Sequence, residues 1–292
     1  MPSSRSSRFR PLLTAAAAVT ASLAVALGAG AAPASAQAGV GRYVALGDSY
    51  ASGAGVPTQV DTGCTRSDRN YPSVLGKAVG PAAQKDVTCG GATTVHMTSA
   101  QSSSAGPQFD ALTADTDLVS VTIGGNDIGF ADIITRCVTL GLLSPSGSPC
   151  KTSYTWTGSD QLTQKIQATA PKIASVIDGI HQRSPQAKVL VVGYPAILPD
   201  DGSNCRSTVT IAKGDAPWLR DTEKRLNSMI ASQAASHGAV YVDAYARSVG
   251  HDVCKPVGTR WIEPLITSAA APFHPNAAGE QSMADAARGA LG

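Results

Sequence analysis

From residue 42 onward, short apolar runs alternate with longer segments in which apolar residues return every three or four positions. The runs at 42–46, 86–89, 118–123, 188–192 and 240–243 are short and β-rich, and several of them are nearly continuous Val, Leu or Ile. Such runs predict strands covered on both faces, as in a parallel sheet. Residues 161–183 place Leu162, Ile166, Ile173, Ile177 and Ile180 on one helical face, and residues 215–237 do the same with Leu219, Leu226, Met229 and Ile230. Asp215 can cap the second helix, Pro217 opens it and Gly238 closes it. Pro171 is expected to kink the first helix or start a new segment there.

This alternation predicts a doubly wound α/β domain built on five strands. No composition shift or linker marks a second domain, so residues 37–292 read as one. Two stretches interrupt the pattern, 136–159 and 200–214. Both are rich in Gly, Ser and Pro and contain cysteines, which predicts pinned surface loops.

The N-terminus reads differently. Residues 1–36 hold Arg5, Arg8 and Arg10 and no acid, an apolar run over 12–32, and the small-residue pattern Ala34-Ser35-Ala36 before Gln37. These are the parts of a secretory signal peptide, with cleavage expected after Ala36. Its removal takes the formal charge from +2 to −1, which argues against a nucleic-acid partner. No later stretch has spanning length, so an exported chain without stable membrane insertion is expected. Six cysteines, Cys64, Cys89, Cys137, Cys150, Cys205 and Cys254, all follow the signal, and an even count in an exported chain reads as three disulfides. None sits in a C-x-x-C pair and the five histidines are dispersed, so no metal is expected. Six cysteines allow fifteen pairings, of which joining neighbours in order is the least demanding.

In an open parallel sheet, ligands bind beyond the carboxyl ends of the strands. There the sequence carries Gly47-Asp48-Ser49-Tyr50 after the first run, Gly90-Gly91-Ala92-Thr93 after the second, and Gly124-Gly125-Asn126-Asp127 after the third. Phe273-His274-Pro275-Asn276 lies beyond the fifth. A hydroxyl, backbone donors, an amide and an imidazole on one edge are what acyl transfer to water requires. Each piece alone has a plainer reading as a turn glycine, a cap or a packed histidine.

In order and spacing, the four blocks resemble those of the GDSL/SGNH hydrolase family. The stretches from Thr122 to Asp127, from Gly258 to Pro264 and His274-Pro275-Asn276 are similar to secreted streptomycete lipases and esterases of that family. The resemblance spans most of the chain after the signal. It implies a three-layer α/β/α, flavodoxin-like fold with a five-stranded parallel sheet, and sequential disulfides Cys64 with Cys89, Cys137 with Cys150 and Cys205 with Cys254. It also implies Ser49 as nucleophile, His274 as base, and an oxyanion hole made by the backbone N–H groups of Ser49 and Gly91 and the side-chain amide of Asn126.

One departure stands out. Much of the family has an aspartate three residues before the histidine, and this chain has Ala271 there. We expect the Ala271 carbonyl to orient His274 as part of a dyad, with Asp252 and Asp243 as carboxylate alternatives. Asp48 and Asp127 read as turn-fixing residues, Arg260 with Glu263 as a surface or loop-fixing pair, and His96, His181, His237 and His251 as histidines outside the chemistry. The expected activity is hydrolysis of fatty-acyl esters through an acyl-serine, by a monomer without cofactor. Phospholipase A, carbohydrate esterase and thioesterase activities fit the same core, because specificity resides in loops. The run 138–143, with Leu140, Leu142 and Leu143, is expected to line an acyl groove, form a lip at a lipid surface, or pack beneath a disulfide. A noncatalytic binding protein would leave Ser49 unreactive, and a phosphatase or nuclease would need metal ligands or a phosphate clamp that the sequence does not supply.

Overall fold

A computed structural model describes residues 39–292; the expected signal peptide lies outside the described residues. In chain order the strands are β1 (Arg42–Gly47), the short pair β2 (Gln59–Asp61) and β3 (Arg66–Ser67), β4 (Ala83–Asp86), β5 (Leu118–Thr122), β6 (Lys188–Val192) and β7 (Val240–Val242). β2 and β3 form an antiparallel pair. The other five form one parallel sheet in the order β4-β1-β5-β6-β7, the 2-1-3-4-5 order of flavodoxin-like folds.

Period-two alternation divides the sheet between two cores. Val44, Leu46, Val119, Val121, Val189 and Val191 face the helices α5 (Gln161–Arg183) and α7 (Asp215–Ser236), meeting Ile173, Ile177, Leu226 and Ile230. Tyr43, Ala45, Leu118, Leu190 and Val192 face α2 (Tyr71–Val79) and α9 (Ala277–Gly289), meeting Leu75, Met283 and Ala287. Each fully buried aliphatic side chain contributes about 1.5–3 kcal/mol, and polar substitution in β1, β5 or β6 would wet a core on one side. The short helices α1 (Ser49–Ser52), α6 (Arg206–Val209) and α8 (Ala244–Ser248), with α3 (Phe130–Leu143) and α4 (Pro149–Thr155), complete the chain.

Four expectations need correction. The second strand is Ala83–Asp86, not 86–89. As an edge strand with Ala83, Gln84 and Lys85 exposed, it lacks the apolar run of a covered strand. Val87 and Cys89 still donate to the carbonyls of Ala45 and Gly47. Segment 136–159 is mostly helical, in α3 and α4. Gly141 is buried in α3 because a Cβ there would collide with the Thr210 carbonyl, so it permits close packing of the 210–212 loop and does not break the helix. Pro171 does not start a new segment, because α5 continues through it. It and Gln167, whose carbonyl it leaves without a donor, are exposed, so water can serve that carbonyl. Asp215 is the first residue of α7, not its cap, and its buried carboxylate accepts the N–H groups of Cys150 (3.0 Å) and Lys151 (2.8 Å) at the start of α4. The predicted 200–214 loop holds only the short α6.

Strand order reverses between β1 and β5, so the loops leaving their carboxyl ends diverge and open a crevice there.

Candidate active site

Ser49 opens α1 directly beyond β1. Gly47 lets the strand end approach β5, since a Cβ there would lie 2.6 Å from the Thr122 carbonyl, and its φ of 143° disfavours other residues. The Gln108 side chain pins Gly47, accepting its N–H (2.7 Å) and donating to its carbonyl (2.9 Å). Asp48 caps α1 by accepting the Tyr50 N–H at 2.9 Å. Its other oxygen accepts the Tyr194 hydroxyl at 2.6 Å, and that phenol in turn accepts the Gly125 N–H at 2.7 Å.

His274 arrives on the loop before α9. Its Nε2 lies 2.7 Å from Ser49 Oγ, and its Nδ1 lies 2.8 Å from the Pro272 carbonyl. A carbonyl only accepts, so Nδ1 carries the proton and Nε2 turns its lone pair to the serine hydroxyl. The expectation of Ala271 is corrected to Pro272. The Ala271 carbonyl accepts the backbone N–H of His274 (3.1 Å), closing a tight turn in which Phe273 takes a φ of 60° and the imidazole swings back over Pro272. Neither Asp243 nor Asp252 reaches the ring. Asp243 caps α8 and Asp252 accepts the Cys254 N–H.

Two further contacts fix this loop. Tyr50 donates its hydroxyl to the Phe273 carbonyl at 2.5 Å, with its ring 4.8 Å from the imidazole. Glu263 and the 273–274 segment exchange backbone hydrogen bonds, and the buried Glu263 carboxylate is held by Arg260, Asn276 and Thr267. Burial holds His274 below the ordinary histidine range, partly offset by the Pro272 carbonyl, so the imidazole is neutral at neutral pH.

Asn126 follows Gly124-Gly125 at the end of β5. One N–H of its amide donates to the Ala92 carbonyl at 2.9 Å, which ties this turn to Gly91 and leaves the second N–H free to donate. Gly91 has a φ of 78°, and Gln101 braces the loop by donating to the Gly90 carbonyl. Among the described residues, the N–H groups of Gly91 and Ser49 have no backbone acceptor. Asp127 accepts from the Thr94 N–H and hydroxyl and so fixes the turn that follows.

Ser49, Gly91, Asn126 and His274 line one open groove, bordered by Phe130, Val138 and Leu265. Beside it, an apolar pocket runs between α3 and α7. It starts at Ser49 and Asn126 and is walled by Tyr50, Ile128, Phe130, Ile133, Leu198 and Leu219. Among the described residues, no group of three or more His, Cys, Asp and Glu side chains could hold a metal ion, and no helix is long and apolar enough to cross a membrane.

Comparison with known proteins decides the family. The model of the GDSL-like Lipase/Acylhydrolase family matches residues 45–281. The chain belongs to that family. Proteins similar to it include Lipase 2 of Streptomyces coelicolor, 44% identical over 257 residues that cover 86% of this chain and 85% of that protein. Two solved structures are similar along most of their length. Phospholipase A1 of Streptomyces albidoflavus NA297 has a TM-score of 0.71 at 31% identity, covering 86% of this chain and 99% of that one. The extracellular lipase of Streptomyces rimosus has a TM-score of 0.70 at 30% identity, covering 86% and 100%. The α/β fold with its five-stranded parallel sheet and the lipase/esterase class of ester hydrolases go with that membership.

As a GDSL-like hydrolase, the chain carries three disulfides, Cys64–Cys89, Cys137–Cys150 and Cys205–Cys254. The remaining histidines have structural partners or terminal positions. His96 accepts the Thr93 N–H, His237 meets Asp178, His251 stacks on Trp261, and His181 lies in the last turn of α5. The 138–143 segment divides its apolar residues. Val138 lines the groove, Leu140 packs on the core, and Leu142 and Leu143 face solvent. Sequence reasoning missed Gln108 and Tyr194. Tyr194 follows β6 by two residues, so the rule that ligands gather at strand ends could have found it; Gln108 gave no such signal.

Proposed function

We propose that the chain is an exported hydrolase of fatty-acyl esters that works through an acyl-serine intermediate. In this reading Ser49 Oγ passes its proton to His274 Nε2 and attacks the ester carbonyl carbon. The oxyanion is held by the N–H groups of Ser49 and Gly91 and by the free amide N–H of Asn126. The imidazolium then protonates the departing alkoxide, and a water deprotonated by the same nitrogen releases the acid. Pro272 fixes the tautomer through its carbonyl, so His274 acts in a dyad.

The observation that carries the reading is the 2.7 Å contact between His274 Nε2 and Ser49 Oγ at the mouth of an apolar pocket. That pocket suits an acyl chain and the open groove suits the alcohol. The extracellular relative and the disulfides support export, with a signal removed after Ala36, and a monomer is the working state. Phospholipase A activity is the second reading, favoured by the similarity to phospholipase A1.

The test is initial rates of the mature protein and Ser49→Ala on acetyl, octanoyl and palmitoyl esters, triacylglycerol and phosphatidylcholine. Loss of all hydrolysis in the variant, with a medium-to-long acyl optimum in the parent, is expected. Activity confined to acetyl esters would redirect the reading to carbohydrate esters, and undiminished activity in the variant would remove Ser49 from the mechanism.

A further inference from the structure

Among the described residues lining the pocket beside Ser49, one polar atom is used neither by the fold nor by the proposed chemistry. Leu219, Thr222, Glu223 and Leu226 form the face of α7 that lines it. Thr222 is internally satisfied, since its hydroxyl donates to the Trp218 carbonyl and accepts from Arg225. Asp48 and Tyr194, which also line the pocket, are satisfied by each other and by backbone. Glu223 is not. Its Oε2 accepts the Ile197 N–H at 3.2 Å, while Oε1 is shielded from solvent and has no hydrogen-bond partner among the described residues.

Among the described residues, no cation pairs with this carboxyl. Lys224, its neighbour in sequence, pairs with Asp200. Burial pushes the Glu223 carboxyl well above the ordinary carboxylate range, against smaller opposing effects of the Ile197 N–H and Lys224. Burial therefore favours the neutral acid. With Oε2 already accepting, the neutral form carries its proton on Oε1, a donor on the wall of an apolar pocket. An unpaired buried donor is unfavourable, and a ligand that supplies an acceptor relieves it.

We propose that Glu223 is a specificity-determining residue of the acyl pocket, donating from Oε1 to an oxygen substituent on the bound chain. The preferred substrates are esters of hydroxy- or oxo-substituted fatty acids. The proposal rests on the reading that this pocket receives the acyl chain. An oxygen substituent fits better than an amine, because an ammonium ion would be buried with one carboxylate and otherwise apolar walls, where desolvation outweighs the attraction. A site that hydrogen-bonds a substrate group discriminates more sharply against its absence than an apolar wall discriminates against one methylene.

The test uses the purified protein with esters of one alcohol: dodecanoate, its positional series of monohydroxy and oxo derivatives, an amino-substituted member and acetate. For wild type, at least one oxygenated isomer is expected to exceed dodecanoate in kcat/KM by about tenfold or more. Glu223→Gln, which keeps a donor and an acceptor, retains most of that ratio, and Glu223→Met brings it toward one. Because the ratio is internal to each protein, it reads specificity even when a variant is less stable, and the wild-type ratio stands if Glu223→Met does not fold. A wild type without preference for any oxygenated isomer, a ratio that survives in Glu223→Met, or a preference for the amino-substituted ester would each overturn the proposal. If instead acetate is cleaved and dodecanoate is not, the acyl-pocket reading itself fails, and with it the role of Glu223.

Discussion

The Tyr194 hydroxyl donates to Asp48 at 2.6 Å while receiving the Gly125 N–H at 2.7 Å, so a single phenol joins the turn that carries Ser49 to the turn that carries Asn126. The groups are buried, and the link spans the divergence between β1 and β5 where the crevice opens. Removing the hydroxyl leaves a carboxyl oxygen and a backbone N–H without partners, each a loss of about 1–3 kcal/mol. The larger consequence is geometric, since the spacing between Ser49 Oγ and the Asn126 amide is set through this bridge.

Tyr194→Phe is therefore expected to lower kcat by about tenfold or more while KM changes little, along with a fall in Tm. Steady-state kinetics well below the transition separate the two effects. A lower Tm with unchanged kcat would reduce Tyr194 to a structural residue.

Asp48 links the same network to pH. Desolvation pushes its carboxyl from 3.8 up to about 7, against the hydrogen bonds from Tyr194 and Tyr50 and with Asp127 adding repulsion. In the unfolded chain the group ionises near 3.8. Between these values the folded protein holds a proton that the unfolded chain has released. Its stabilising contribution is complete below roughly pH 4 and is lost as pH rises through about 7, a change of about 4 kcal/mol at most. Denaturant titrations of wild type and Asp48→Asn from acid to mildly alkaline pH should diverge in that sense. Parallel stability curves for the two proteins would show that Asp48 ionises normally in the fold.

The sheet was legible where burial is complete, because β1, β5 and β6 have apolar side chains on both faces. β4 was misplaced because an edge strand carries no such signature, and the second half of α3 because Gly141 has the composition of a loop but serves a close helix contact. The positions of Ser49, Gly91, Asn126 and His274 follow from the rule that sites gather at strand ends. The His274 acceptor does not, since a choice between adjacent carbonyls depends on the φ of Phe273. Tyr194 and Asp48, 146 residues apart, meet only through the tertiary fold.

His274 takes its orientation from a carbonyl, so no carboxylate should be needed for turnover. Asp243→Asn and Asp252→Asn are expected to keep kcat within about threefold of wild type, where the same change at a triad aspartate costs about 10⁴-fold. The rising acid limb of kcat/KM should lie below 6.5 in all three proteins, because burial of His274 favours its neutral form. A loss of two orders of magnitude in either variant would sink the dyad.

The disulfides separate stability from function. Cys205–Cys254 closes a separation of 49 residues, Cys64–Cys89 one of 25 and Cys137–Cys150 one of 13. Loop-closure entropy then ranks their contributions at about 4, 3.5 and 3 kcal/mol. Position gives a different order for activity. Cys89 lies two residues before Gly91, and the Cys64 carbonyl accepts the Gly90 N–H at 2.8 Å, so the Cys64–Cys89 bridge braces the loop that presents the Gly91 donor. Paired Cys→Ala variants, measured for Tm and for kcat at low temperature, should lose most stability without Cys205–Cys254 and most turnover without Cys64–Cys89. If loss of turnover simply followed loss of Tm across the three variants, the Gly91 loop would need no such brace.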